Sequence, residues 1–188
     1  VVLDSGFNTV TGGSDADELV VNSGANTIGT GAGADTISLN EGTNTVNSGA
    51  DADDITVVSG YNTVDGGDGA DVIDLSGGHN SVLGSAGADD ITVSGGTNVV
   101  NAGEDDNTLT LSGGASTITA GSGADTITAS GGANNISTGD GLNRVVLNSG
   151  FNTVTGGSDA DVLVVNSGAN TINTGAGADT ITLNEGTN

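Results

Sequence analysis

The chain has 188 residues, and its 24 acidic side chains face a single arginine and no lysine, which gives a formal net charge of −23. This charge excludes nucleic acid and anionic membrane surfaces as partners, because both would repel the protein. There is no cysteine, so disulfides and thiolate metal sites are excluded as well. No apolar run is long enough for insertion into a membrane.

From Leu3 onward the sequence divides into units of nine residues without an insertion or a deletion. The eighth residue is aliphatic in all twenty units, from Val10 to Ile181. A fixed period places every copy in the same backbone environment, which indicates a solenoid. Acidic chains with few aromatic residues are often disordered. Disorder does not require this spacing, however, and we expect it to be favoured only when metal is absent.

The units alternate between two types that differ at the sixth residue. In the first type, the Asp unit, this residue is aspartate in eight of ten copies and asparagine in two, Asn107 and Asn143. In the second type, the Asn unit, it is asparagine in ten of eleven copies and Ser116 in the other. One Asp unit followed by one Asn unit makes a predicted coil of eighteen residues.

The order of elements within a coil follows from glycine and from side-chain alternation. The second residue of the Asp unit is glycine in nine of ten copies, which predicts a tight loop. After the aspartate, an alternating run such as Thr36–Leu39 places two aliphatic side chains on one face, which predicts a half-buried strand. The Asn unit has glycine at its fourth position in all eleven copies and predicts a shorter strand, such as residues 27–29, with one inward side chain.

These elements predict an all-β fold, a parallel β-solenoid with eighteen residues per turn and about ten turns. With strands about 4.8 Å apart, the rod would be roughly 50 Å long. Helices are excluded because no stretch has apolar residues three and four positions apart and glycine is unfavourable in helices. We expect residues 1–188 to form one continuous solenoid segment without a linker.

A longer repeat lies over the eighteen-residue one. Residues 1–44 match residues 145–188 at 40 of 44 positions, an offset of 144 residues, or eight turns. This offset indicates that blocks of eight turns were duplicated and that the sequence is a window of a longer array. We therefore expect the chain to continue after Asn188 with a relative of the sequence from Thr45 onward.

Aspartate at one corner of every coil would stack carboxylates at strand spacing. Two unit charges about 5 Å apart repel by roughly 3 kcal/mol at an effective dielectric constant near 20. Either the carboxyl groups are protonated or a cation lies between the coils. The glycine loops offer backbone carbonyls beside them, so all donors are hard oxygens, which favours Ca²⁺ over Mg²⁺ and Zn²⁺.

The stretches G-A-G-A-D-T-I (residues 31–37) and G-G-D-G-A-D-V-I (residues 66–73) resemble the repeats-in-toxin (RTX) nonapeptide G-G-x-G-x-D-x-U-x of secreted bacterial proteins. The resemblance covers the whole chain. It implies a right-handed parallel β-roll that binds Ca²⁺ between consecutive loops along one edge, through the motif aspartate and loop carbonyls. The implied metal ligands are Asp17, Asp35, Asp53, Asp71, Asp89, Asp125, Asp161 and Asp179.

The sequence departs from the family pattern in three ways. The Asn units lack the aspartate, so we expect no metal along the opposite edge and a ladder of hydrogen-bonded side-chain amides instead. Asn107 and Asn143 interrupt the aspartates, and we expect the sites beside them to be weaker or empty. The fourth residue of the Asp unit is Asp rather than glycine in four loops, where it either adds a ligand or tolerates left-handed backbone. These four residues are Asp15, Asp51, Asp105 and Asp159.

The pattern and the resemblance together favour a structural, calcium-stabilised rod of a large secreted bacterial surface protein, such as an adhesin, a surface layer or an extracellular filament. Such rods could associate end to end or sideways. The alternative is a calcium-triggered folding and export module of a type I-secreted toxin or hydrolase, which flanking sequence would distinguish. We do not expect an enzyme, because the chain has one histidine, no cysteine and no lysine, and its carboxylates form rows rather than a pocket.

Ice binding is a third alternative, suggested by outward threonines on the strand of the Asn unit. Ser81, Val99 and Asn135 interrupt this array, and the strand propensity of threonine explains it without a function. The threonines concerned are Thr9, Thr27, Thr45, Thr63, Thr117, Thr153 and Thr171.

Overall fold

The computed structural model describes residues 1–188 and consists of two parallel β-sheets that face each other. Neighbours within each sheet are two strands apart in sequence, so the chain passes from one sheet to the other and back in every turn. The predicted parallel solenoid of about ten turns is confirmed. No helix of the structure has the length and hydrophobicity that a bilayer crossing requires.

The strands of the two sheets alternate along the chain. The eleven-stranded sheet contains β1 (Val2–Leu3), β3 (Glu18–Val21), β5 (Thr36–Leu39), β7 (Asp54–Val57), β9 (Val72–Leu75), β11 (Asp90–Val93), β13 (Thr108–Leu111), β15 (Thr126–Ala129), β17 (Arg144–Leu147), β19 (Val162–Val165) and β21 (Thr180–Leu183). The ten-stranded sheet contains β2 (Phe7–Thr11), β4 (Ala25–Ala32), β6 (Thr43–Ala50), β8 (Tyr61–Asp68), β10 (His79–Ala86), β12 (Thr97–Gly103), β14 (Ala115–Gly121), β16 (Ala133–Gly139), β18 (Phe151–Gly156) and β20 (Thr171–Asn173).

In both sheets, paired residues are eighteen positions apart, which is the period of the sequence. Ile37 pairs with Ile55 in the eleven-stranded sheet, and Val46 pairs with Val64 in the ten-stranded sheet. Equivalent residues therefore lie directly above one another along the rod. A slip of one residue would turn every buried side chain outward, so the alternation of the sequence fixes this register.

The core consists of three rows of aliphatic side chains that run along the rod between the two sheets. Ile37 and Leu39 of β5 and Val46 of β6 are buried completely or nearly so, and they belong to one cluster of 28 buried residues. This matches the prediction of about three inward aliphatic residues per turn. Each fully buried aliphatic side chain contributes roughly 1.5–3 kcal/mol, so the core of one coil is small.

The predicted strand lengths were wrong. The strand of the Asn unit is the longer one, since β6 has eight residues and β7 has four. The difference arises because β6 continues into the glycine loop of the following Asp unit, where Gly49 pairs with Gly31. Glycine has backbone hydrogen-bonding groups but no side chain, so the ladder continues here without leaving an alternating pattern in the sequence. A Cβ on Gly49 would lie 1.8 Å from the Gly31 carbonyl oxygen, which explains why glycine is required.

The predicted amide ladder of the Asn units is confirmed. The side-chain Nδ2 of Asn26 donates to Oδ1 of Asn44 at 2.7 Å, and that of Asn44 donates to Oδ1 of Asn62 at 2.8 Å. The same Nδ2 of Asn44 also donates to the Glu41 carbonyl oxygen of its own loop at 3.2 Å. All three of these asparagines are buried. Both amide hydrogens of Asn44 are thus used, and the protein alone satisfies the side-chain amides of these coils.

Candidate metal-binding edge

The sixth residues of the Asp units lie at the opposite edge of the rod, each directly before a strand of the eleven-stranded sheet. We call the ten residues from Asp17 to Asp179 the aspartate row. Strand register stacks them one per coil, and the glycine loop before each one turns the chain so that its side chain faces inward. Six aspartates of the row are at most 5% exposed, namely Asp35, Asp53, Asp71, Asp89, Asp125 and Asp161. Asp17 and Asp179 are half-buried.

One carboxylate oxygen of each buried aspartate is held by the preceding coil. The backbone N–H of Asp35 donates to Oδ1 of Asp53 at 2.8 Å, and that of Asp53 donates to Oδ1 of Asp71 at 2.9 Å. The same bond links every successive pair of the row up to Asp161 and Asp179, where the distance is 3.0 Å. These bonds fix the rotation of each carboxyl group, and they leave Oδ2 as the free oxygen.

The second oxygen of the buried aspartates has no partner. Oδ2 is inaccessible to solvent and makes no hydrogen bond in Asp35, Asp53, Asp71, Asp89, Asp125 and Asp161. Leaving one buried charged oxygen without a partner costs at least about 1–3 kcal/mol, and this deficit recurs along one edge. A bound cation or a proton would remove it.

The pKa values of the aspartate row also indicate that the buried carboxylates lack a compensating positive charge. Burial is the main cause that raises the pKa of Asp53, Asp71, Asp125 and Asp161 above 3.8, and it raises the pKa of Asp89 to about 6. The negative charges of Asp71 and Asp105 raise the pKa of Asp89 further, while the N–H bond from Asp71 opposes them. Without a cation, therefore, the folded state disfavours the ionised carboxylates.

The two asparagines of the row, Asn107 and Asn143, show that loop carbonyl oxygens lie opposite the position of aspartate Oδ2. Asn107 accepts the backbone N–H of Asp89 through Oδ1 at 2.9 Å, as an aspartate would. Its Nδ2 then donates to two carbonyl oxygens of its own loop, those of Glu104 at 3.2 Å and Asp105 at 3.1 Å. Nδ2 of Asn143 likewise donates to Gly139 at 3.3 Å and Gly141 at 3.1 Å. The sequence indicated only a lost charge here, and these bonds were not predicted.

Buried hydroxyl residues at the first position of three Asp units, Thr30, Ser48 and Thr138, were also missed. Thr30 donates through Oγ1 to the Ser48 carbonyl oxygen at 2.8 Å, and Ser48 donates through Oγ to that of Gly66 at 2.5 Å. The nearby hydroxyl of Ser48 partly offsets the rise in the pKa of Asp53 that burial causes. We made no prediction for this position, whose residues are all small. The recurrence of Thr and Ser among its glycines was the available signal.

The aspartates at the fourth position of the Asp unit lie outside the row. Asp51 and Asp105 have left-handed backbone, with φ of 76° and 67°. All four are exposed, and Oδ2 of Asp51 accepts the backbone N–H of Gly33 at 3.1 Å. Of the two roles that the sequence left open, the geometry of Asp51 and Asp105 supports tolerance of left-handed backbone.

The donors at this edge suit a hard cation. No three His, Cys, Asp or Glu side chains come together anywhere in the structure, so a metal would take one or two carboxylates and draw its other ligands from loop carbonyls. Oxygen-only coordination of this kind is what Ca²⁺ accepts. The unpartnered Oδ2 atoms and the loop carbonyls opposite them fit such an ion.

Comparison with known proteins agrees with the chemistry of this edge. The family model described as the RTX calcium-binding nonapeptide repeat (4 copies) matches residues 2–28, 21–55, 48–82, 76–109, 83–118, 110–145, 119–154 and 155–188. The fold is similar to a crystal structure of a hyperactive, Ca²⁺-dependent, β-helical antifreeze protein from an Antarctic bacterium, with a TM-score of 0.65 and 15% identity. That alignment covers 95% of this chain and 80% of the other. No curated protein sequence matches the chain significantly.

Proposed function

The chain belongs to the RTX calcium-binding nonapeptide repeat family, and from this premise we propose that it is a structural, calcium-stabilised rod of a large secreted bacterial surface protein. The observation that carries the proposal is the row of buried aspartates whose Oδ2 atoms have no partner. A metal that binds only the folded chain adds its binding energy to stability. Calcium would thereby make folding conditional on the extracellular environment.

The proposed ligands are the aspartates of the row, that is Asp17, Asp35, Asp53, Asp71, Asp89, Asp125, Asp161 and Asp179. Each would give Oδ2 to an ion held between the row and the glycine loops. Calcium supplies the positive charge that the row lacks. The protein positions the carboxylates through the Oδ1 bonds and excludes water by burying them.

Mechanical continuity supports a rod over a catalytic role. Every strand is paired with its equivalents in the neighbouring coils, from β1 to β21 in one sheet and from β2 to β20 in the other. The one histidine, His79, stacks on Tyr61 with ring centroids 5.0 Å apart, on the outside of the ten-stranded sheet. It lies at the opposite edge from the carboxylates, so the chain offers no paired acid and base for catalysis.

The calcium requirement is tested by far-UV circular dichroism on metal-stripped protein. We expect a disordered spectrum in chelator and β-structure in millimolar Ca²⁺, because the thin core does not offset the repulsion along the aspartate row. Mg²⁺ at the same concentration is the control, since its stricter octahedral geometry suits these loops less well. Equal β-content with and without Ca²⁺ would refute the proposal.

Two other functions, an export module and ice binding, can be distinguished from the rod by experiment. An export module would share the calcium requirement, and it would be followed by a secretion signal and preceded by an enzyme or toxin domain in the full-length protein. Ice binding would require a regular outer face, whereas Phe7, Tyr61 and Phe151 are 63–93% exposed beside the threonine column. Thermal hysteresis of the calcium-loaded protein would favour ice binding over the rod.

A further inference from the structure

Asn107 and Asn143 have the same backbone partner as the aspartates of the row but a different second atom. In each of them Oδ1 must face the N–H of the preceding coil, because only an acceptor can bind it. The NH₂ group therefore lies where the aspartates have the unpartnered Oδ2. Both asparagines are 1% exposed, and each NH₂ group donates to two loop carbonyls.

The NH₂ group is the positive end of the side-chain amide dipole. In Asn107 and Asn143 it lies where the aspartate of another loop would need a cation. An Asp in the same position would direct a carboxylate oxygen at carbonyl oxygens, which is repulsive unless a metal ion or a proton lies between them. The asparagine amide satisfies the same carbonyls without any ion. It also leaves no buried charge.

The surrounding charge distribution follows the same division. Residues 107–158 contain two acidic residues, Asp125 and Asp140, together with the one arginine, Arg144, whereas the 52 residues before them, 55–106, contain nine, of which three lie in the loop of Asn107 itself. In the aspartate row, no pair of neighbouring coils from Asp89 to Asp161 has aspartate on both sides. The central coils therefore have less charge repulsion to overcome on folding.

We propose that the amide groups of Asn107 and Asn143 take the place of calcium in their own loops, so that the central coils close at lower calcium concentration than the rest and nucleate the folding of the rod. This inference rests on the proposed calcium requirement. It divides the aspartate row into a five-residue group from Asp17 to Asp89, an isolated Asp125, and the pair Asp161 and Asp179. In a solenoid, structure formed in one coil propagates to its neighbours, so a central nucleus extends in both directions.

A calcium titration followed by hydrogen–deuterium exchange tests the proposal on the full chain. In the wild type, peptides from residues 107–158 should become protected at a lower calcium concentration than peptides from residues 30–90. In the double variant Asn107→Asp, Asn143→Asp, the midpoint for the central peptides should shift to higher calcium, and equilibrium dialysis should find more calcium bound per chain. An unchanged midpoint together with unchanged bound calcium would overturn the proposal.

Asn107→Ala provides the matched control, because it removes the amide without adding a ligand. Its loop should remain unprotected at calcium concentrations that restore the loop of Asn107→Asp. Wild-type protection in Asn107→Ala, or failure of calcium to restore Asn107→Asp, would contradict the assigned role. If no peptide of any variant responds to calcium, the proposed function itself fails, and this result differs from a calcium-dependent rod that folds in another order.

Discussion

Ser116 is the one substitution in the amide ladder of the Asn units, and it shows what each asparagine contributes. Nδ2 of Asn80 donates to Oδ1 of Asn98 at 2.8 Å, but Nδ2 of Asn98 bonds only to the Gly95 carbonyl oxygen of its own loop. Beyond the gap, Oδ1 of Asn134 and Oγ of Ser116 are buried without partners. The hydroxymethyl group of serine is too short to span the interval between coils that an asparagine spans. Two polar atoms are therefore left unsatisfied in a dry edge.

Ser116→Asn should stabilise the calcium-loaded protein. The new side chain would accept from Asn98 and donate to Asn134, which removes unsatisfied groups that cost about 1–3 kcal/mol each. We expect a gain of about 1–3 kcal/mol in the free energy of unfolding, measured by urea denaturation. Asn62→Ser creates the same gap elsewhere in the ladder and should lose a comparable amount. A loss of stability in Ser116→Asn would show that the gap is satisfied in another way, for example by a buried water.

At the scale of the strand and loop, the sequence predicted the inward residues and the register of the strands. It did not predict the features that depend on backbone hydrogen bonds. Alternation in Thr36–Leu39 fixed the inward residues and the register, since burial repeats with period two. The extension of β6 into the loop was not predictable, because Gly49 pairs through backbone groups that any residue has. The two bonds from the Asn107 amide to its loop depend on the side-chain rotation set by the N–H of Asp89. That rotation becomes visible only after the coils are stacked.

The aspartate row also predicts how metal-free protein responds to pH. Burial raises the folded-state pKa of Asp89 to about 6, and the pKa of Asp53, Asp71 and Asp125 rises above 3.8 for the same reason. The folded state therefore binds protons more tightly than the unfolded state. The resulting stabilisation is full below pH 3.8 and is lost as the pH rises through the folded pKa values, which reach about 6.

Protein stripped of metal on a chelating resin should accordingly gain β-structure when the pH is lowered from 7 toward 4. Far-UV circular dichroism across this range measures the gain. Asp89→Asn replaces the carboxyl group of highest pKa in the row by an amide that is uncharged at every pH, so its transition should lie at higher pH than that of the wild type. A decrease in β-structure on acidification, or no change in either protein, would contradict the proton affinity assigned to the row.

At the scale of the whole molecule, the fold has no contacts that link distant coils. Each strand pairs only with the equivalent strands one turn before and one turn after it. Stability is then a sum of coil terms and nearest-neighbour terms, and a net charge of −23 opposes compaction along the whole length. We therefore expect the chain to fold only when calcium ions bind along the aspartate row, so that its overall dimensions change with calcium concentration.

Small-angle X-ray scattering should record this change directly. An unfolded chain of this length has a radius of gyration of about 46 Å, whereas a solenoid of ten turns at about 4.8 Å per turn is roughly 50 Å long and has a radius of gyration of about 17 Å. We expect metal-free protein to lie near the first value and protein in millimolar Ca²⁺ near the second. Sodium chloride at matched ionic strength is the control, because it screens the acidic side chains without entering a site between coils. Equal compaction in sodium chloride would mean that relief of charge repulsion alone folds the rod, and the aspartate row would then have no need of calcium.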